Sequence, residues 1–147
     1  MNRGMSESAN DYLRDVSLEM DSGYTLDCVA HACALARLLY DAGRAPWIGR
    51  LRETIEREDH VFHAPLNATR FKGHAARTWT THYVCCAGGE VYDPIAGRPL
   101  PLGSYAEVVF GRALPVVEHF SPRVTAELLG RGELRMAFRP RFLPPSF

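Results

Sequence analysis

Three residues in this chain have the types and order that thiol-based acyl transfer requires: Cys28, His82 and Asp93. A thiol attacks a carbonyl carbon well only as thiolate, an imidazole exchanges a proton near neutral pH, and a carboxylate behind the ring fixes its tautomer. Cys28 falls in the first turn of a helix expected from the segment Thr25 to Gly43. Unpaired backbone N–H groups and the macrodipole favour negative charge there. Asp27 sets a like charge beside the sulfur, so a protonated His82 is the expected counter-cation. His82 and Asp93 lie on either side of Gly88-Gly89, in a hairpin signal. A two-residue turn pairs His82 with Ile95 and Val84 with Asp93. His82 and Asp93 are then diagonal neighbours on one face, about 7–8 Å apart at the backbone.

The elements that must position these residues can be read along the chain. Ser6 or Ser8 is expected to cap a first helix through about Met20, with Tyr12, Leu13, Val16 and Met20 at near-helical spacing, and Asp21, Ser22 and Gly23 break it. Cys28, Val29, Ala32, Leu35, Ala36 and Leu39 recur every three or four residues, and Gly43 sits where a left-handed cap would end the second helix. Pro46 to Leu51 reads as a strand, Arg52 to His63 as either a charged helix or a loop, and Leu66 to Ala76 has no clear period. Thr78 to Cys86 and Glu90 to Ile95 form the arms of the hairpin. Ser104 with Glu107 matches a capping box ahead of a short helix, Tyr105 to Phe110, closed by Gly111. Ala113 to Phe120 reads as a strand, Ser121-Pro122 as a helix start with Gly130 as its stop, and Glu133 to Phe138 as a last strand. Residues 139–147, with three prolines, read as an irregular tail.

A chain of 147 residues, 46% hydrophobic and 23% charged, is expected to build one domain over residues 1–147. The formal charge is zero and the pI about 7.0, so no global field draws nucleic acid or an acidic membrane. Arg supplies sixteen of the seventeen basic charges and Lys72 the other, a skew given no functional weight. No segment reaches the ~18 apolar residues of a membrane span. The polar start, Met1 to Asp21, is unlike a secretory signal, which points to a cytoplasmic protein. Cys85 and Cys86 are adjacent and Cys28 and Cys33 share a helix, so reduced thiols are expected.

The order of Cys28 at a helix start, Thr81-His82-Tyr83-Val84 on a strand and Glu90-Val91-Tyr92-Asp93-Pro94 after a Gly turn resembles the papain-like Cys-His-Asp enzymes in the broad sense. That group includes cysteine peptidases, transglutaminases, arylamine N-acetyltransferases and the glutamine deamidases of bacterial effectors and toxins. The resemblance spans about residues 24 to 110. It implies an α+β, papain-like fold, with a nucleophile-bearing helix packed on an antiparallel sheet. Cys28 would be the nucleophile, His82 the base and Asp93 the orienter, acting through a thioester without cofactor or metal. Papain itself uses a glutamine before the nucleophile for the oxyanion, whereas this chain contains no Gln. The Cys28 N–H is one candidate donor, with Tyr24, Thr25 or Trp79 as a second.

These features lead to a cysteine amide hydrolase acting on a peptide or protein, with no nucleic-acid or membrane partner. The alternatives are a glutamine deamidase or transglutaminase-like effector or toxin domain, delivered by a specialised secretion system, and a non-enzymatic module that holds a peptide in the same groove. His31, one turn after Cys28, is a rival base accompanied only by Asp27 at helical spacing. Glu56, Asp59, His60 and His63 suggest a metal cluster if helical, but such mixed segments are usually solvated surface. Cys33, Cys85 and Cys86 read as small core hydrophobes, with Cys86 on the His82 face. Trp79, Tyr83, Tyr92 and Tyr105 are candidates to line a cleft or to pack the hairpin.

Overall fold

The computed structural model describes residues 3–21, 27–71 and 78–138. Helix α1 (Arg3–Asp21) buries Ala9, Leu13, Val16 and Met20 along one stripe. It already runs from Arg3, so Ser6 and Ser8 lie inside it rather than capping it. Helix α2 (Cys28–Asp41) starts at Asp27, whose carboxylate accepts the Ala30 N–H at 3.0 Å, and buries Ala32, Leu35, Ala36 and Leu39 as the spacing predicts. Gly43, at φ 80°, follows the last turn in the left-handed conformation that favours glycine.

The main sheet holds β1 (Trp47–Leu51), β6 (His82–Ala87), β7 (Glu90–Tyr92), β8 (Leu100–Pro101) and β9 (Val117–Phe120) in the order β8-β7-β6-β1-β9, every neighbour antiparallel. Both faces are covered. Leu35, Leu39, Ile48, Cys85 and Tyr92 pack with Leu13 and Leu129 on the α2 face. Leu51, Val84, Cys86 and Val91 pack with Tyr105, Val109 and Phe110 on the other. Adjacent strand residues point to opposite faces, so Cys85 and Cys86 enter different cores. All four cysteines are free thiols.

Several local readings need correction. Arg52 to His63 is neither helix nor loop: it forms a two-stranded ribbon of β2 (Glu53–Arg57) and β3 (His60–Ala64), separate from the main sheet. β-Branched and aromatic residues alternating with charge allow this, and no apolar helical stripe competes. The helical alignment of Glu56, His60 and His63 therefore does not exist, and no group of three candidate metal ligands occurs among the described residues. Leu66 to Ala76 begins with β4 (Leu66–Asn67), which pairs with β5 (Thr78–Trp79), and a 3-10 turn at Thr69–Phe71; residues 72–76 lie outside the described residues. Helix α3 (Tyr105–Phe110) forms as read and ends on left-handed Gly111, but Ser104 makes no side-chain cap bond; its hydroxyl faces the Pro101 carbonyl instead. Helix α4 (Pro122–Arg131) runs through Gly130 and stops at Gly132, φ 67°, whose N–H reaches the Leu128 and Leu129 carbonyls. Glu133 to Phe138 is no strand. It turns, buries Leu134 and ends in a 3-10 turn, Met136–Phe138, whose Phe138 ring packs on Tyr83 and Phe120. Ser22, Gly23 and residues 139–147 lie outside the described residues. No helix among the described residues is long and apolar enough to cross a membrane.

Candidate functional site

Cys28 is the first residue of α2, half-buried at the end of the helix where backbone N–H groups lack intrahelical partners. The first helical bond, His31 N–H to the Asp27 carbonyl at 3.1 Å, lies beyond it, and no hydrogen bond from the amides of Cys28 and Val29 is found among the described residues. Asp27 is less hostile to the sulfur than its sequence position suggests. Its carboxylate caps the helix and also accepts from Arg135 at 2.7 Å. The Ala30 N–H, and then Arg135, hold its carboxyl below the usual range against the cost of burial.

His82 occupies the first position of β6, opposite Leu51 at the end of β1. It is 2% exposed, and its Nε2 lies 2.8 Å from Asp93 Oδ2. Trp79 and Phe110 close on the ring at 4.9 and 5.5 Å between centroids. Its Nδ1 is buried without a hydrogen bond of standard geometry among the described residues. Cys28 lines the same cleft and contributes to raising the ring's pKa. Since Nε2 is held by Asp93, Nδ1 is the ring nitrogen left to face the sulfur.

The hairpin register is as expected where it exists, with Cys85 opposite Tyr92 and Cys86 opposite Val91. The ladder ends at Tyr92, however, so the pairs His82 with Ile95 and Val84 with Asp93 are not made. Asp93 instead opens consecutive turns, with its carbonyl accepting the Ala96 N–H at 3.0 Å. The departure suits the site. Asp93 Oδ1 accepts the Ile95 N–H at 3.0 Å, which leaves Oδ2 for His82 and for the hydroxyl of Tyr105. Arg70 braces the same turn, donating to the Ile95 carbonyl at 3.0 Å while binding Ser17 and Asp21 at the end of α1.

Burial works against charge on both partners, and their mutual attraction outweighs it. His82 is raised above its ordinary 6.5 by the charge and hydrogen bond of Asp93 and by Cys28. Asp93 is held below its ordinary 3.8 by His82, the Tyr105 hydroxyl and the Ile95 N–H. The site therefore favours an imidazolium against the Asp93 carboxylate. Burial pushes three thiols up, Cys33 to about 11, Cys86 to about 12 and Cys85 as well.

All three sequence-predicted residues, Cys28, His82 and Asp93, line one cleft with Met20, His31 and Trp79. The rival His31 has its Nδ1 2.7 Å from the Tyr12 hydroxyl, and burial lowers its pKa. Of the proposed second oxyanion donors, Tyr24 and Thr25 lie outside the described residues, and Trp79 packs on His82. Tyr105 is the residue whose role sequence reasoning missed. Nothing in its spacing ties it to Asp93, since α3 is brought there only by packing. Replacing Tyr105 with Phe keeps the ring and removes the donor, so urea unfolding is expected to show a loss of about 1–3 kcal/mol. An unchanged midpoint would mean that Asp93 does not depend on this hydroxyl.

No protein-family model, curated protein or solved structure matches this chain.

Proposed function

We propose that the chain is a thiol-dependent amide hydrolase with a papain-like fold, acting on a peptide or protein. The observation that carries this reading is the line from Cys28 at the start of α2 to the buried His82 ring and on to Asp93 Oδ2. A nucleophile-bearing helix packed on an antiparallel sheet that carries the base also supports the papain-like assignment.

In the acylation step the Cys28 thiolate adds to the amide carbon, and the resulting oxyanion meets the amides at the start of α2. The C–N bond then breaks as His82 gives its proton to the leaving amine, producing a thioester. Water, deprotonated by the now neutral His82, attacks the thioester; the acid leaves and the Cys28–imidazolium pair is restored. Asp93 keeps the ring in one tautomer throughout. A glutamine side-chain amide can enter the same cycle with ammonia as leaving group, so deamidation uses the same three residues.

Competitive labelling tests the proposal. At pH 6, iodoacetamide is expected to modify Cys28 faster than it modifies glutathione, with half-buried Cys33 slower and buried Cys85 and Cys86 reacting only after unfolding. Peptide mass spectrometry reads all four sites. Labelling of Cys28 no faster than glutathione would remove the activated thiol on which the reading depends.

A further inference from the structure

Arg50 and Arg52 are two residues apart on and just beyond β1, an interior strand of the sheet, and so project to one side. Arg50 stands directly opposite Tyr83 on β6, and Arg52 donates from Nε to the Thr81 hydroxyl at 3.0 Å. Both lie at the end of the sheet where Leu51 pairs with His82. Tyr83 joins this area to the cleft, because it lines the same pocket as Cys28.

The far side is built by an irregularity in the edge strand. Between Ile48 and Gly49 the pairing of β1 with β9 slips by one residue. Bulges re-aim a side chain, and here the His119 ring reaches Tyr83 at 4.9 Å and stacks on Phe138 at 5.6 Å. Burial first, then the Arg50 and Arg52 charges, lower the His119 pKa, which places all three groups in one field.

Arg50 and Arg52 are half-buried, yet no carboxylate among the described residues pairs with either. Arg70 and Arg112, half-buried elsewhere, each have one, Asp21 and Glu53. Partly desolvated guanidinium groups normally find an anion, and their planar fork matches a carboxylate. We infer that Arg50 and Arg52, with the Tyr83–His119 shelf, form an anion subsite that binds a carboxylate of the substrate beside the amide attacked by Cys28. The inference rests on the hydrolase reading and narrows its substrates to acidic peptides or to amides near a free chain terminus.

Iodoacetate and iodoacetamide test it without a known substrate. Both form a carbon–sulfur bond on Cys28 and expel iodide, but only iodoacetate carries a carboxylate. The readout is the ratio of their rates. Arg50→Met with Arg52→Met is expected to lower that ratio about tenfold or more, and added salt to lower it in the parent. A second arm uses the parent alone: N-acetylglutamate α-amide presents a side-chain carboxylate and N-acetylglycine a terminal one. Protection of Cys28 by the first assigns an acidic side chain, and by the second a chain terminus. An unchanged ratio in the double variant, or protection by neither compound, overturns the subsite. The hydrolase reading fails separately, if Cys28 alkylation by the neutral reagent does not depend on His82.

Discussion

Replacing His82 with alanine is expected to slow iodoacetamide labelling of Cys28 at pH 6 by about 100-fold, and to move the labelling profile to higher pH. The parent ring is buried and carries its proton beside the sulfur, because Asp93 raises its pKa. Without that cation the sulfur loses its counter-charge, and at pH 6 an ordinary thiol with a pKa of about 8.5 is less than about 1% thiolate. Lower basicity also lowers intrinsic nucleophilicity, which is why the expected loss is smaller than the thiolate fraction alone gives. His31→Ala provides the comparison. A larger loss in His31→Ala than in His82→Ala would transfer the base role to His31.

Asp93→Ala is expected to cost about 3–5 kcal/mol in urea unfolding at pH 6, the usual penalty for breaking a buried pair by removing one partner. His82 would lose its counter-ion while 2% exposed, and the Tyr105 hydroxyl and Ile95 N–H would each lose an acceptor. The pH dependence carries the same signature. His82 is raised on folding, so its contribution is complete below its unfolded value near 6.5 and fades as pH rises through the folded one. Asp93 is lowered, so its contribution is complete above 3.8 and fades as pH falls through the folded value. The parent is therefore expected to have a stability plateau between pH 3.8 and 6.5 from this pair, and Asp93→Ala to lose most of it. A variant whose stability follows the parent at every pH would show that the pair contributes nothing to folding.

Sequence alone determined the elements whose pattern is local. The stripe Ala32, Leu35, Ala36 and Leu39 fixes the inward face of α2, and that face places Cys28 at its start. The Gly88-Gly89 turn, with both glycines at positive φ, fixes the β6–β7 register. Those two facts give the order and approximate direction of Cys28 and His82, since helical and strand periods act over a few residues.

Tertiary structure decided what joins them. Asp93 reaches His82 because the ladder stops at Tyr92 and the chain turns, bracing one carboxylate oxygen on Ile95 and leaving the other free. Tyr105 and Arg135 reach the site from segments far along the chain, and no local spacing encodes either approach. The ribbon at Glu53–Ala64 and the stop at Gly132 also escaped local rules, because a weak propensity leaves the choice to the surrounding packing. The same holds for charge. A buried imidazole beside a carboxylate becomes a cation only where packing removes water from both, and that removal belongs to the assembled fold.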